Sequence, residues 1–560
     1  MQTCLRILAG CVLFAAAAAA QVPSITGVAN NYSGIAPGLP NYGIAQGSIF
    51  LIIGSNLTTS DTGLQTPPLK TTLSGTSVNV TVNGTTTHPI FYYVTHGQIA
   101  AILPSATPVG TGTITVTTSA GTSPTAPITV VQSAFGILTM NQAGNGLGQI
   151  QDANNGYNLL SYTASAKPGD AIVLWGSGLG PVTGDETQYQ TQTDFGSSYP
   201  IEVDLGGVSA TVLYHGRSAY PGLDEVIVAV PSSLSGCNVS AVVWHKANNI
   251  VSNVVTLPVA STGGACSDPS TPYTSTLLQK CFTAGCSIGS LGIAKTTTTT
   301  QPTTISGITI PGSTSTADGI AGGFYKYTAS QISTGIAGPS AVSIGSCSVY
   351  SFSYNGNTPP AVPTGATATP LNAGTISVTT PSTTATMPYQ NGGYSASSST
   401  GSLIPASGGT FNFTNGSGGP DIGTFSGAQI TLGAPLIWTN QPTSVTRSKG
   451  LTVTWTGGTS GTTVTLFGYS LAPVGNSTTS FVGAYFWCTA PVSAGTLTVP
   501  STVLLALPAS GSITSGGITI PLPGALSLSN QSNTVTFTAP NLDFSYLAGT
   551  YSVSNSLTFQ

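Results

Sequence analysis

The chain has 560 residues, 40% of them hydrophobic, which leaves room for about three to five domains, each with a buried core. Only 4% are charged, against about 25% in an ordinary soluble protein, so Ser, Thr, Gly and Asn carry the polar surface. The formal net charge of −4 comes without any basic run, which excludes nucleic acid as an electrostatic partner, and the scarcity of Glu, Lys and Arg disfavours helices.

Residues 1–20 read as a signal peptide, with Arg6 as the positive start, an apolar run from Ile7 to Ala20 and small residues before Gln21. Leu8 to Cys11 imitates a bacterial lipoprotein box. Most of the hydrophobic region follows Cys11, however, which favours cleavage after Ala20 over lipid anchoring. No later stretch offers the roughly 20 apolar residues of a membrane helix. The expected location is therefore secreted or cell-surface.

A Pro/Gly-rich lead-in with apolar anchors at Ile25 and Val28 opens the first domain, residues 21–132. Its strands are expected at Ser48 to Ile53, Ser77 to Val82, His88 to Val94, Gln98 to Leu103, Gly112 to Thr118 and Pro127 to Val131. Asn83-Gly84 should form a hairpin turn whose return strand begins at His88. Residues 133–260 repeat the pattern. Gly47 to Leu57 and Gly169 to Leu179 both read Gly, polar, five apolar, Gly-Ser, any, Leu. Val80 to Gly84 matches Val203 to Gly207, and Ile99 to Ser105 matches Val226 to Ser232. The offset is nearly constant, so this is a domain duplication. The second copy carries an insertion, Thr183 to Pro200, holding Asp185, Glu186 and Asp194.

Residues 261–345 contain cysteines and the tract Thr296 to Thr300, which reads as an extended connector; whether it links or joins the next domain is open at this level. Alternation resumes at Ser346. A third sandwich is expected over 346–434 and a fourth over 435–560, with Trp438, Trp455 and Trp487 filling the core of the last. The fold class is thus all-β, with tandem immunoglobulin-like sandwiches, four in number, and a Cys-containing Thr-rich connector.

The order of motifs in the first half, from "GSIFLIIGSNL" through "KPGDAIVLWGSGLGPV" and "LGGVSATVLYHGRSAYPGLDEVIVAVP" to "VSNVVTLPV", resembles the tandem Ig-like, IPT/TIG-related domains of acidobacterial (Solibacter-type) secreted proteins over residues 22–259. The resemblance implies paired Ig-type sandwiches and carries no catalytic residue. Glu225 stands where such strands tend to have Gln.

Outside the leader lie Cys237, Cys266, Cys281, Cys286, Cys347 and Cys488. An even number in an exported chain points to disulfides. Cys237 starts one strand of an expected hairpin and Cys266 follows the other, so these two should pair; Cys281 with Cys286 comes second. Zinc is disfavoured because no His follows His245.

Other chemistry weighs less. Gly285 to Gly289 matches the Gly-x-Ser-x-Gly of a nucleophile elbow around Ser287, but every His lies upstream and loop surrounds it. Asp152 to Gly156 imitates a calcium loop, yet Thr163 stands where the bidentate Glu belongs. His88, His96, His215 and His245 are scattered. No catalytic, metal or cofactor residue is assigned. Tyr92, Tyr214 and Tyr220, with Tyr189 nearby, are candidates for stacking on a ligand. The leading expectation is a non-enzymatic structural, adhesive or surface-binding protein whose partner is an extracellular glycan or a surface protein. A carbohydrate-binding array is the alternative; a hydrolase with its site in the C-terminal half is the weakest, since that half has few acids and no His.

Overall fold

The computed structural model describes residues 21–268, 273–305, 307–333, 347–355, 368–398, 402–433, 435–532 and 534–560. The signal-peptide reading of residues 1–20, with Cys4 and Cys11, lies outside them. The described chain is all-β apart from short helices, and it builds immunoglobulin-like sandwiches in tandem.

In the first sandwich, Ser24–Asn30, Ile49–Ser55, Gln98–Ile102 and Ile90–Val94 form one sheet. Ile44–Ala45, Ala126–Val131, Gly110–Thr118, Thr76–Val82 and Thr72–Leu73 form the other. Alternate residues such as Phe50, Ile52, Val78, Val80, Ile114 and Val116 meet between them, and each buried aliphatic contributes about 1.5–3 kcal/mol. Asn83 and Gly84 turn with positive φ, 49° and 79°, as a two-residue hairpin requires. The return strand differs from expectation: only Thr85–Thr87 pairs back onto Thr76–Val82, and Ile90–Val94 joins the opposite sheet. Pro89, which has no N–H to donate, separates the two pieces.

The second sandwich repeats the plan around Ile172, Leu174, Val203, Val226, Val228, Ala241 and Val243. Its strand Val208–Arg217 serves both sheets. Val208 to Ala210 pair with Ile201–Leu205, and from Thr211 onward the strand pairs with Asp224–Ala229, a ladder interrupted by a bulge between Val212 and Tyr214.

The second half is organised differently from a string of beads. One continuous sheet runs in the order Cys347–Asn355, Ser480–Pro491, Thr463–Pro473, Gly524–Gln531, Phe544–Phe559, Cys286–Thr300, Ser313–Tyr327. Two small sheets cover one face of it. The sheet Thr384–Met387, Ile376–Thr379, Gly409–Thr414, Gln429–Leu432 closes the third core over Leu291, Ile293, Ile320, Phe324 and Leu547. The sheet Leu436–Trp438, Leu451–Gly457, Thr496–Val499 closes the fourth over Leu466, Phe486, Leu526 and Leu528.

The segment read as a connector therefore contributes to the third sandwich. Thr296 to Thr300 is the last third of a 15-residue strand, hydrogen-bonded on one side to Ser313–Tyr327 and on the other, in parallel, to Phe544–Phe559. The strand Cys347–Asn355, expected in the third sandwich, pairs instead with Ser480–Pro491 of the fourth. Trp438 and Trp455 lie in the fourth core, but Trp487 does not: its neighbours Phe486 and Cys488 take the inner face, and the period of two puts the indole on the outer one.

The sandwiches also pack on one another. Val242, Val251 and Val254 of the second are part of the fourth core. Ile35 and Leu39 of the lead-in pack with Val482.

Candidate functional site

The two copies of the repeated Gly-Ser motif meet at the junction of the first and second sandwiches, and Arg217 joins them. Arg217 and Asp224 face each other across paired strands, fully buried, with Nε donating to Asp224 Oδ1 at 2.7 Å. Asp224 Oδ2 accepts from the Gly178 and Leu179 N–H groups of the second motif at 2.7 and 2.9 Å. Arg217 Nη2 donates to the carbonyl of Gly47, the first residue of the first motif, at 3.0 Å. Ser177 Oγ accepts from Ile49 N at 2.8 Å, and Asn30 Nδ2 donates to the carbonyls of Ala134 and Ser177. The insertion Thr183 to Pro200 closes over the joint. Glu186 accepts from Ser105 N and Oγ, both at 2.8 Å, and Thr187 O accepts from Leu69 N at 2.8 Å. Burial in this joint raises the Glu186 carboxyl above its ordinary range, partly offset by the Ser105 bonds.

The tyrosines singled out in the sequence gather around this joint in unequal roles. Tyr92 is half-buried beside Tyr32, Ile49, Leu69 and Ile90, and its hydroxyl donates to Pro221 O across the junction at 2.6 Å. Tyr214 donates to Arg217 O at 3.0 Å, and desolvation pushes its hydroxyl up to about 12. Both are tied into the scaffold. Tyr220 is 53% exposed and meets Tyr189, 58% exposed, edge to face with ring centroids 6.0 Å apart. Tyr189 and Tyr220 therefore form the open part of the site. The insertion that carries Tyr189 is bonded to Ser105 through Glu186 and pairs with Gly216–Arg217, and Gln190 N donates to Ala219 O beside Tyr220.

Three disulfides close among the described residues: Cys237–Cys266, Cys281–Cys286 and Cys347–Cys488. The last pairing was not singled out in the sequence; it staples the edge strand Cys347–Asn355 to its neighbour. Ser287 is the second residue of the long strand Cys286–Thr300, and its N–H donates to Asp543 Oδ2 at 2.8 Å. Asp318 and Asp421 likewise accept backbone N–H bonds, from Ile404 and Asn372. Asp152 caps a short 3-10 turn, accepting from Asn154 N. His88 meets Asn79 and His96 meets Asp61, both at the surface, while His215 bonds Tyr199 O. Among the described residues no three His, Cys, Asp or Glu gather as metal ligands, and no helix is long and apolar enough to cross a membrane.

A second aromatic array went unread in the sequence. Tyr350 and Phe352, Phe467 and Tyr469, Tyr485 and Trp487 are three pairs at i, i+2 on three adjacent strands. That spacing puts each pair on one face of its strand.

No family model matches the chain, and no curated protein does. Among solved structures it is similar to SGBP-B from a complex xyloglucan utilization locus in Bacteroides uniformis (11% identity, TM-score 0.16, 84% of this chain and 100% of that one). It is also similar to SGBP-B of the Bacteroides ovatus mixed-linkage glucan utilization locus in complex with a mixed-linkage heptasaccharide (12% identity, TM-score 0.13, 88% of this chain and 96% of that one). The central fibronectin-III array of RIM-binding protein is a third (11% identity, TM-score 0.14, 74% of this chain and 98% of that one).

Proposed function

We propose that the chain is an exported, non-enzymatic surface-binding protein whose ligand is carbohydrate. One observation carries this reading: the exposed Tyr189–Tyr220 pair, carried beside the buried, hydrogen-bonded Arg217–Asp224 joint. Aromatic rings bury the apolar C–H face of a pyranose, and a rigid mount spares the entropy of ordering them on binding. The disulfides support an oxidising, extracellular setting. The repeated Gly-Ser motifs support placing the first two sandwiches with the IPT/TIG-related domains they resemble. A purely structural spacer is the second reading, and the core shared by the second and fourth sandwiches weighs against it, since a spacer gains reach from separated domains.

The test is retention of the mature chain, residues 21–560, on a panel of glycans and matrix polymers. Specific retention that falls about tenfold in Tyr189→Ala/Tyr220→Ala is the expected result. A blank panel overturns the carbohydrate reading and leaves a protein partner.

A further inference from the structure

We infer that the outer face of the shared C-terminal sheet is a second, larger binding surface, and that its ligand is a neutral polysaccharide lying across the strands. The inference rests on the reading of the chain as a glycan-binding protein, but on different residues.

The inner face of this sheet is filled by Val464, Leu466, Ala484, Phe486, Leu526 and Leu528. The period of two therefore turns Tyr350 and Phe352, Phe467 and Tyr469, Tyr485 and Trp487 outward. Register lines them up: Tyr350 lies opposite Tyr485 and Tyr485 opposite Tyr469, with Trp487 opposite Phe467 in the next row. The rings overlap as shingles. Tyr350 and Trp487 are 4.9 Å apart and 13° from parallel, Tyr350 and Tyr485 5.6 Å and 11°, Tyr485 and Trp487 5.6 Å and 18°. Gly483 lies opposite Phe352, and a Cβ there would come within 2.5 Å of its ring, so glycine is what lets Phe352 lie down on the sheet. The array is buried at Trp487, 7% exposed, and open at Phe467, 36% exposed.

Two further features give the ligand its chemistry. Beyond the aromatic strands the same face becomes a ladder of hydroxyls. Ser527 bonds Ser554 at 2.9 Å, Ser529 lies 2.7 Å from Ser552, and Thr296 continues the Ser552 row. All are half-exposed. Within the aromatic end, the buried Trp487 Nε1–H has no hydrogen-bond partner among the described residues, a cost that a ligand acceptor would relieve. Apolar ring faces, a hydroxyl margin and an unmet donor together are the complement of a sugar chain. None of the five strands Cys347–Asn355, Thr463–Pro473, Ser480–Pro491, Gly524–Gln531 and Phe544–Phe559 contains a charged residue, which fits a neutral chain and not a uronate or a sulfated one. From the edge strand to Cys286–Thr300 the face spans about 24 Å at ordinary strand spacing, room for several pyranose rings.

The experiment titrates the full mature chain with neutral gluco-, xylo- and manno-oligosaccharides, with polygalacturonate as the charged control, read by calorimetry and tryptophan fluorescence. Phe467→Ala/Tyr469→Ala alters only partly exposed rings and is expected to keep the melting temperature while weakening binding about tenfold. Trp487→Phe keeps a ring, deletes the donor, and should weaken binding and remove the fluorescence response. Binding that survives both changes but is lost in Tyr189→Ala/Tyr220→Ala overturns this inference and leaves the carbohydrate reading intact. No binding of any neutral glycan by the unaltered chain overturns both, and preference for polygalacturonate overturns the assignment to a neutral ligand.

Discussion

The imidazole of His245 is 1% exposed and accepts a hydrogen bond from the Phe135 N–H through Nε2 at 3.0 Å, so it folds neutral. Desolvation, with His215 nearby, lowers its pKa from 6.5 to about 3. A base whose folded value is depressed contributes its full stability above the unfolded value and loses it as pH falls. Here the window runs from about 6.5 down to about 3, and the loss reaches about 5 kcal/mol at its acid end. Urea midpoints should fall through this window in the natural chain and stay flatter in His245→Gln, which retains an acceptor and cannot charge. Arg217 gives the companion prediction. Arg217→Met would leave Asp224 buried without its cation and should cost about 3–5 kcal/mol; Arg217→Lys should rescue little, because an ammonium cannot reach Asp224 Oδ1 and the Gly47 carbonyl with one planar fork. In the sequence His245 is only one of four scattered histidines, whereas the structure buries it, and Arg217 is not singled out there. A lone His or Arg on a strand carries no signal of burial; the register that sets Arg217 against Asp224 gives the arginine its role, and the Phe135 N–H gives His245 its own.

At the scale of elements, the first two sandwiches were legible because their strands alternate apolar and polar residues and Asn83-Gly84 marks a turn. The strands Cys286–Thr300 and Ser313–Tyr327 were not, because many of their residues are Ser, Thr and Gly, as in a linker, and Cys286–Thr300 finds its parallel partner more than two hundred residues away in Phe544–Phe559. The aromatic strip shows the converse. Its signal, three i, i+2 pairs, was present, but without the strand order nothing said that the pairs share one face. A third device is a pair of similar hairpins, Thr303–Ile305 with Ile308–Ile310 and Ser512–Ser515 with Ile518–Pro521, whose second strands both read Ile-Thr-Ile before or up to a proline. In both, the strand threonines bond across the pair, Thr304 with Thr309 and Thr514 with Thr519, while Ile308, Ile310, Ile518 and Ile520 stand exposed. Ile308→Thr/Ile518→Thr should therefore leave stability within about 0.5 kcal/mol per site, measured by thermal melts, and lower the binding of a hydrophobic dye. A large loss of stability would mean that these side chains are covered.

At the scale of the molecule, the question is whether the chain works as separated modules or as one body. Val242, Val251 and Val254 belong by sequence to the second sandwich and by packing to the fourth core, beside Val349, Leu504 and Leu507. Thr502 donates to the buried Asp204 at 2.9 Å across the same boundary. Burying three valines is worth several kcal/mol by transfer alone, more than the flexibility of a linker would return. The second and fourth sandwiches should then melt together, and solution scattering of the mature chain should show a compact particle. Val251→Asp places a charge in that boundary with no cation to meet it. Two cores close separately on either side of it, so the expected effect is separation: a longer maximum dimension by scattering and two calorimetric transitions where the natural chain has one. If the natural chain itself scatters as an extended string, the Tyr189–Tyr220 pair and the aromatic sheet cannot hold one glycan from a fixed distance, and each must be treated as an independent weak site joined only by the avidity of a tether.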